Sequence, residues 1–458
     1  MKHVTRALAV GAVMTITVAL AACTPAAGGG AAKTDFPTTV TGPLKAWGFD
    51  NADEVGTSRL DYAKALLASK KVTVTMDATQ FDAQKFTTLA ASGRIPDVVQ
   101  MSASFVTTYA AKGLILPLDK CYSAHNVDPA TRFYPAVLGD VSYQGKVWAV
   151  PQFYQPPAIM LNMRVLKAAG VTPDQIDTSK PAELLAAVKA MTKLNGKNPT
   201  TVGFDTQATG QAGLWILGLG GSIIDKTGKP TLDNPANTKG IDFLKQINDA
   251  QGGYANVKSF TDSFDFFGAK NQFVKDQVGA EVDNQWYVNV LTPFVKSVDI
   301  QTVPFRDASG QPFTVSSGTA FVIPAKAKNP GAACAWALAL TSEAAWQKAG
   351  EARAQTIKKT PGAVNTGLFT GSPAADKALR TQYVVSTGDA GFDQTISTFY
   401  DVVDKGQTFG SSPAGQQIQT ELQNAVSAVL TGEKTSAQAL KDAQGAALRA
   451  YQQVAGNQ

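Results

Sequence analysis

Val72-Thr73-Val74-Thr75-Met76, the run from Gln80 to Ser92 followed by Gly93, and Pro96-Asp97-Val98-Val99-Gln100-Met101 together decide the fold. The first alternates apolar and hydroxyl side chains with period two, as a half-buried strand does. The second places Phe86, Leu89 and Ala90 on one helical face, and Gly93 ends it. The third is a short apolar run that predicts a buried strand. A strand at Leu44-Lys45-Ala46-Trp47-Gly48-Phe49 and a helix from about Ser58 to Ser69 precede them. This βαβαβ alternation predicts an α/β fold with a mostly parallel sheet and helices on both faces. In such sheets, ligands bind beyond the carboxyl ends of the strands.

The second half of the chain repeats the pattern with longer helices. Pro181 near a helix start and Glu183 in its first turn open a helix striped by Leu184, Val188 and Met191, which Asn195-Gly196 closes. Ile241, Leu244 and Ile247 form another stripe, and Ile418, Leu422, Val426 and Val429 a third before Gly432. Thr435 with Gln438 three residues on predicts a capping box opening the last helix. These stripes are read as core. The chain has 458 residues, 44% hydrophobic and only 17% charged, which implies two or three domains with cores of their own and excludes disorder for most of its length. Lys and Arg number 41 against 36 Asp and Glu, and no long basic cluster occurs. That excludes an electrostatic footprint for nucleic acid or for an anionic membrane face.

At the N-terminus, Lys2 and Arg6 precede a nearly unbroken apolar run from Ala7 to Leu20, then Leu20-Ala21-Ala22-Cys23. The run is shorter than the roughly 20 residues that cross a bilayer as a helix. With the small residues that follow, it reads as a signal peptide over 1–22, similar to those of bacterial lipoproteins. Cleavage would leave Cys23 to carry lipid, whose paired acyl chains hold a protein on a membrane where one chain does not. The low-complexity stretch 23–39, with Gly28-Gly29-Gly30, reads as a flexible lipidated tether. The body is expected to be soluble and extracytoplasmic, held at the outer face of the cell membrane only by this lipid.

The other cysteines, Cys121 and Cys334, carry no metal-site spacing, and His125 is the only histidine beyond the leader. Zinc sites and His-based triads are thereby starved of ligands. No P-loop and no dinucleotide fingerprint follows the first strand. The expectation is no cofactor, no metal and no catalytic site.

Further motifs carry a family resemblance. Ser92-Gly93-Arg94-Ile95-Pro96-Asp97-Val98-Val99, Gln144-Gly145-Lys146-Val147-Trp148-Ala149-Val150-Pro151 and Ile159-Met160-Leu161-Asn162 are followed by Gly220-Gly221-Ser222 with Leu232-Asp233-Asn234-Pro235. Phe273 to Trp286 and Ser317-Gly318 through Asn329-Pro330 complete the series. In this order the segments resemble family 1 extracellular solute-binding proteins, the maltose-binding-protein-like sugar receptors of ABC importers, from about residue 44 to 455. The chain departs from the pattern at Asp276-Gln277-Val278-Gly279-Ala280, at Asn284-Gln285 before the Trp, and at Gln155-Pro156-Pro157.

The resemblance implies a two-lobed, class II periplasmic-binding-protein-like fold that closes like a hinge. Crossovers are expected near Pro151 to Gln155, Val303 to Phe305 and Thr341 to Ala345. Lobe one would be 40–151 and 305–341, and lobe two 152–304 and 342–458. Both Cys121 and Cys334 then fall in lobe one and are candidates for a disulfide, the alternative being two buried thiols. A sugar needs flat aromatic platforms and a mixed polar fringe. Trp286 is the first platform candidate, with Trp47, Trp215 and Tyr154 as others, each with core packing as the alternative. Asp50, Ser102, Ser104, Gln155, Asp283, Asn284, Ser317 and Gln355 are the polar candidates, against solvated loop positions. The expected function is capture of a carbohydrate, an oligosaccharide in particular, by a monomer that delivers it to the transmembrane subunits of an ABC importer. The rivals are a receptor for a polyamine, peptide or metal chelate on the same fold, and a secreted glycoside-acting enzyme.

Overall fold

The computed structural model describes residues 35–456. The expected signal peptide, Cys23 and the tether as far as residue 34 lie outside the described residues. Among those described, no helix is long and apolar enough to cross a membrane.

β1 (Gly42–Trp47), β2 (Val72–Asp77) and β3 (Val98–Ser102) alternate with helices Glu54–Ala68 and Ala83–Ser92. The first helix begins at Glu54, ahead of the expected start near Ser58, because Asp53 caps it, its carboxylate accepting from the Gly56 N–H at 2.8 Å. Gly93 ends the second in the left-handed conformation, φ 68°. A hairpin of β4 (Ser142–Tyr143) and β5 (Lys146–Val147) leads to β6 (Val150–Pro151). Then come β7 (Pro157–Asn162), β8 (Lys193–Asn195), β9 (Asn198–Asp205), β10 (Val278–Asn284) and β11 (Ile300–Val303). β12 (Phe305–Arg306), β13 (Pro312–Val315), β14 (Thr319–Val322) and β15 (Gly406–Gln407) are last. The helix expected to close at Asn195-Gly196 stops at Met191. Residues 193–195 are instead the strand β8, turned onto β9 at Gly196, φ 64°.

Two five-stranded sheets result, ordered β2-β1-β3-β14-β6 and β11-β7-β10-β9-β8. Neither is mostly parallel, which corrects the sequence expectation. In the first, β1 runs parallel to β2 and β3, but β14 is antiparallel to both β3 and β6. In the second only β9 and β10 are parallel. The physical reason is the chain path: β14 and β7 each enter a sheet from the other one, so they run away from the groove that their neighbours run towards.

The Pro96-Asp97 pair has a structural task. The buried Asp97 carboxylate accepts from the backbone N–H of Lys45 at 2.9 Å, Lys328 at 2.7 Å and Asn329 at 2.9 Å. It thereby joins β1 to the start of helix Pro330–Leu340, almost all of which is buried, as befits a helix apolar on every side. Cys121 and Cys334 are disulfide-bonded, their Cα atoms 5.8 Å apart, inside this same core.

The chain passes between the sheets over residues 152–156 and returns over 316–318. Phe305, Phe313 and Val315 pack into the core of the second sheet with Trp215 and Leu161. Helix Glu343–Lys359 stays with the first sheet's helices, Trp346 covering the Arg59 guanidinium of helix Glu54–Ala68 at 3.9 Å. Helix Pro373–Tyr383 packs on it. Only helix Ala390–Val402 reaches the second sheet, where Gln394 bonds both the N–H and the C=O of Thr302. Between the sheets, the chain segments themselves pair: Gln155 N–H donates to Ser317 O at 2.8 Å, Gln152 N–H to Thr319 O at 2.9 Å, and Tyr154 N–H to Phe369 O at 3.1 Å.

Candidate functional site

The strand ends of the two sheets face each other across a groove, with residues 152–156 and 316–318 at its back. Two cavities lie along it. One, of about 330 Å³, takes Asp50, Gln100 and Thr319 from the first sheet, Phe153 and Gln155 from the crossing segment, and Trp286 from the second sheet. The other, of about 360 Å³, takes Ser102, Ser104, Asp140 and Ser317 on one side and Gln211 and Gln416 on the other.

Trp286 follows directly on the end of β10, half-buried. It stacks on Phe267, ring centroids 6.1 Å and planes 18° apart, and meets Phe266 edge-on. Phe267 is 72% exposed, so an aromatic surface stands open beside the cavity. Asp50, exposed, and Gln155, half-buried, line the same cavity as Trp286. Ser102 and Ser104, exposed, and Ser317, half-buried, line the other. The two serine hydroxyls lie 2.9 Å apart, Gln416 Nε2 donates to Ser104 across the groove at 3.0 Å, and Ser317 Oγ donates to the Gln155 carbonyl at 2.7 Å.

Four other candidates sit elsewhere. Trp47, 1% exposed, is turned into the core: Phe81 packs 5.4 Å from it, Lys85 Nζ lies over its ring and its indole N–H donates to Thr79 at 3.2 Å. Trp215, also 1% exposed, is walled by Phe204, Phe243 and Phe305 and donates to the Thr206 carbonyl at 3.2 Å. Tyr154 is fully buried against Tyr134, whereas Phe153, one residue earlier on the extended crossing segment, takes the cavity side. Gln355 is exposed in a separate depression with Lys358 and Tyr383.

Asp283 and Asn284, at the end of β10, lie beneath the aromatic wall without lining either cavity. Burial pushes Asp283 and Glu281 well above the usual carboxylate range, and the nearby Asp205 raises both further; Asp283 also raises Glu281. Asp205, paired with Glu281 across β9 and β10, is itself pushed up to about 6, chiefly by burial. Glu281 accepts from Gln272 at 2.8 Å. The upward shifts favour the protonated form, which donates as well as accepts. Among the described residues, no group of three or more His, Cys, Asp or Glu is placed to hold a metal ion.

Sequence reasoning missed Gln100, Asn289, Thr319 and Arg353. Arg353 projects from helix Glu343–Lys359 to pair with Glu54 and, at 3.3 Å, with Asp53, and it donates across the groove to Asn289 at 3.4 Å. Its carboxylate partners lie some 300 residues away in the chain, so no local motif announces it.

Two mixed sheets facing across a groove, joined by paired crossing segments, define the two-lobed class of binding protein. Residues 58–347 match the family model of the bacterial extracellular solute-binding proteins, and the chain belongs to that family, which places its body outside the cytoplasm. It is 27% identical over 251 residues to the arabinooligosaccharide-binding protein of Bacillus subtilis (strain 168), a match over 53% of this chain and 54% of that protein. The chain thus spans about half the length of the curated relative it matches. Among solved structures, CpMnBP1 with mannobiose bound superposes with a TM-score of 0.69 at 21% identity, over 89% of this chain and all of that one. The GacH receptor of Streptomyces glaucescens GLA.O, studied with acarbose, gives 0.67 at 20% identity over 90% and 99%.

Proposed function

We propose that this protein is a receptor that captures a carbohydrate, an oligosaccharide in particular, in the groove and delivers it unaltered to the membrane subunits of an ABC importer. The observation that carries this reading is the pairing, in one cavity of about 330 Å³, of the Trp286 and Phe153 rings with a floor and rim of Gln100, Thr319, Asp50 and Gln155. A sugar ring buries its C–H face on an aromatic plane while its hydroxyls need partners that donate and accept. The second cavity gives a chain of sugar units room along the same groove. Lobe one would comprise 40–151 and 319–383, and lobe two 152–318 and 384–458, turning about the crossing segments to close on ligand. The Cys23 lipid would tether a monomeric body within reach of its permease.

Calorimetry and thermal shift with mannobiose, mannotriose, maltotetraose, arabino-oligosaccharides and spermidine test the reading. A bound sugar at 100 times its dissociation constant should stabilise by about 2.7 kcal/mol. Stabilisation by spermidine alone, or release of smaller sugars by the purified protein, would count against it. Cys23→Ser should move the full-length protein from the membrane to the soluble fraction, and a variant still membrane-bound would rule out the anchor.

A further inference from the structure

Arg59 is fully buried and no carboxylate bonds it. It lies between aromatic rings, 3.9 Å from the Trp346 centroid and 5.0 Å from that of Phe153. Its Nε donates to the Val55 carbonyl at 3.2 Å, and its Nη1 donates to Gln152 Oε1 at 3.4 Å and to the Leu340 carbonyl at 3.5 Å. Burial lowers its pKa to about 9, so it is still a cation at neutral pH.

A guanidinium has donors and no acceptor, so only the oxygen of the Gln152 amide can face it. Gln152 is also fully buried, and its NH2 group must then point the other way. It reaches Gln100 Oε1 at 2.8 Å, Thr319 Oγ1 at 3.3 Å and Asn51 Oδ1 at 3.4 Å. The same logic applies one step further. An amide nitrogen accepts nothing, so Gln100 and Asn51 must offer Gln152 their oxygens, and their own NH2 groups turn towards the cavity that both line. The Gln152 NH2 has two hydrogens, one donated to Gln100 and the other shared between Thr319 and Asn51, so Thr319 keeps its O–H to donate.

We propose that Arg59 is a positioning residue that, through Gln152, sets the floor of the 330 Å³ cavity to hydrogen-bond donor polarity. The floor therefore selects a ligand edge made of acceptors. That edge is the ring and glycosidic oxygens of a neutral sugar or the carboxylate of an acidic one. This rests on the carbohydrate reading for its ligand, but not for the orientation of the amides.

Gln152→Glu tests it with almost no change in shape. The new carboxylate faces Arg59 with one oxygen and Gln100 with the other, so Gln100 must turn its NH2 inward and show its oxygen to the cavity. Neutron diffraction from deuterated crystals places the amide deuterons directly. In the wild type they should lie on the Gln152 atom facing Gln100 and on the Gln100 atom facing the cavity; in Gln152→Glu the Gln100 deuterons should point inward. Deuterons carried by the Gln152 atom that faces Arg59, or a Gln100 amide unmoved in the variant, would overturn the proposal.

Calorimetry with mannobiose and with digalacturonate forms the second arm. Whichever the wild type binds should bind Gln152→Glu at least tenfold more weakly, with the melting temperature not lowered, and the choice between them tells a neutral acceptor edge from an acidic one. Equal binding by the variant would also overturn the proposal. Should neither sugar bind the wild type, the carbohydrate reading suffers, and neutron diffraction still decides the relay. Were Gln152→Glu not to fold, the wild-type deuterons alone would decide it.

Discussion

Trp286 and Trp47 each stand at the end of a strand, yet one edges a cavity and the other fills a core. Trp286→Ala should weaken sugar binding by about 1–3 kcal/mol with little change in stability, the scale of losing a stacking aromatic. Trp47→Ala should instead destabilise the fold by about 3–5 kcal/mol, as large core truncations do. Denaturant melts and calorimetry on both variants separate the two roles, and a Trp286→Ala protein that binds as wild type would remove it from the site. The distinction was not legible beforehand, because the first sheet is covered on both faces: Ala46 and Trp47 point to opposite sides and both are buried. Nor could Arg59 and Gln152 be singled out, since each is an ordinary residue until they meet from 93 positions apart. The aromatic after β10 was legible because a strand end, a family motif and a Trp coincide at Trp286.

Among elements, those whose ends are local chemistry read well. Gly93 closes its helix, and the Gln438 N–H donates to the Thr435 hydroxyl at 3.3 Å to cap the last one, although the Gln438 side chain turns to Asp442 and does not complete the expected box. Elements placed by distant partners read poorly. Helix Glu343–Lys359 is positioned by Trp346 meeting Arg59, far away in the chain, a contact that no local pattern announces. The disulfide is of the second kind too, joining helices Asp119–Ala124 and Pro330–Leu340 over 213 residues. Closing so long a loop restricts the unfolded chain, so Cys121→Ala with Cys334→Ala should lower stability by about 2–5 kcal/mol. Thiol titration of the denatured, unreduced wild type should find neither cysteine free. Two free thiols, or an unchanged denaturation midpoint in the double variant, would contradict this.

For the whole molecule, buried carboxyls govern the response to pH. Burial raises Asp140 and Asp376 to about 7 and Asp205 to about 6, and it raises Glu281 and Asp283 well above the usual carboxylate range. Each binds its proton more tightly folded than unfolded, so its contribution is greatest at low pH and declines as pH rises from about 4 through the folded value. In that window a single such group changes stability by about 1.4 kcal/mol per pH unit. Calorimetric scans should therefore give a higher melting temperature at pH 5.5 than at pH 8. Asp376→Asn, which keeps an oxygen for the Thr370 N–H and hydroxyl at 2.7 Å, should flatten part of the slope. An identical slope in the variant would show that Asp376 does not titrate in this range.

The placement of β14 between β3 and β6 bears on how the chain is born. β6 has no neighbour in its sheet until residues 319–322 arrive, and the Cys334 thiol comes later still. A polypeptide delivered N-terminus first, as an extracellular protein is, therefore cannot finish its first lobe while most of the second is still being made. The interleaving that aligns the groove also acts as a clock. It leaves the leading part of the first sheet short of a strand until residues 319–322 have been made.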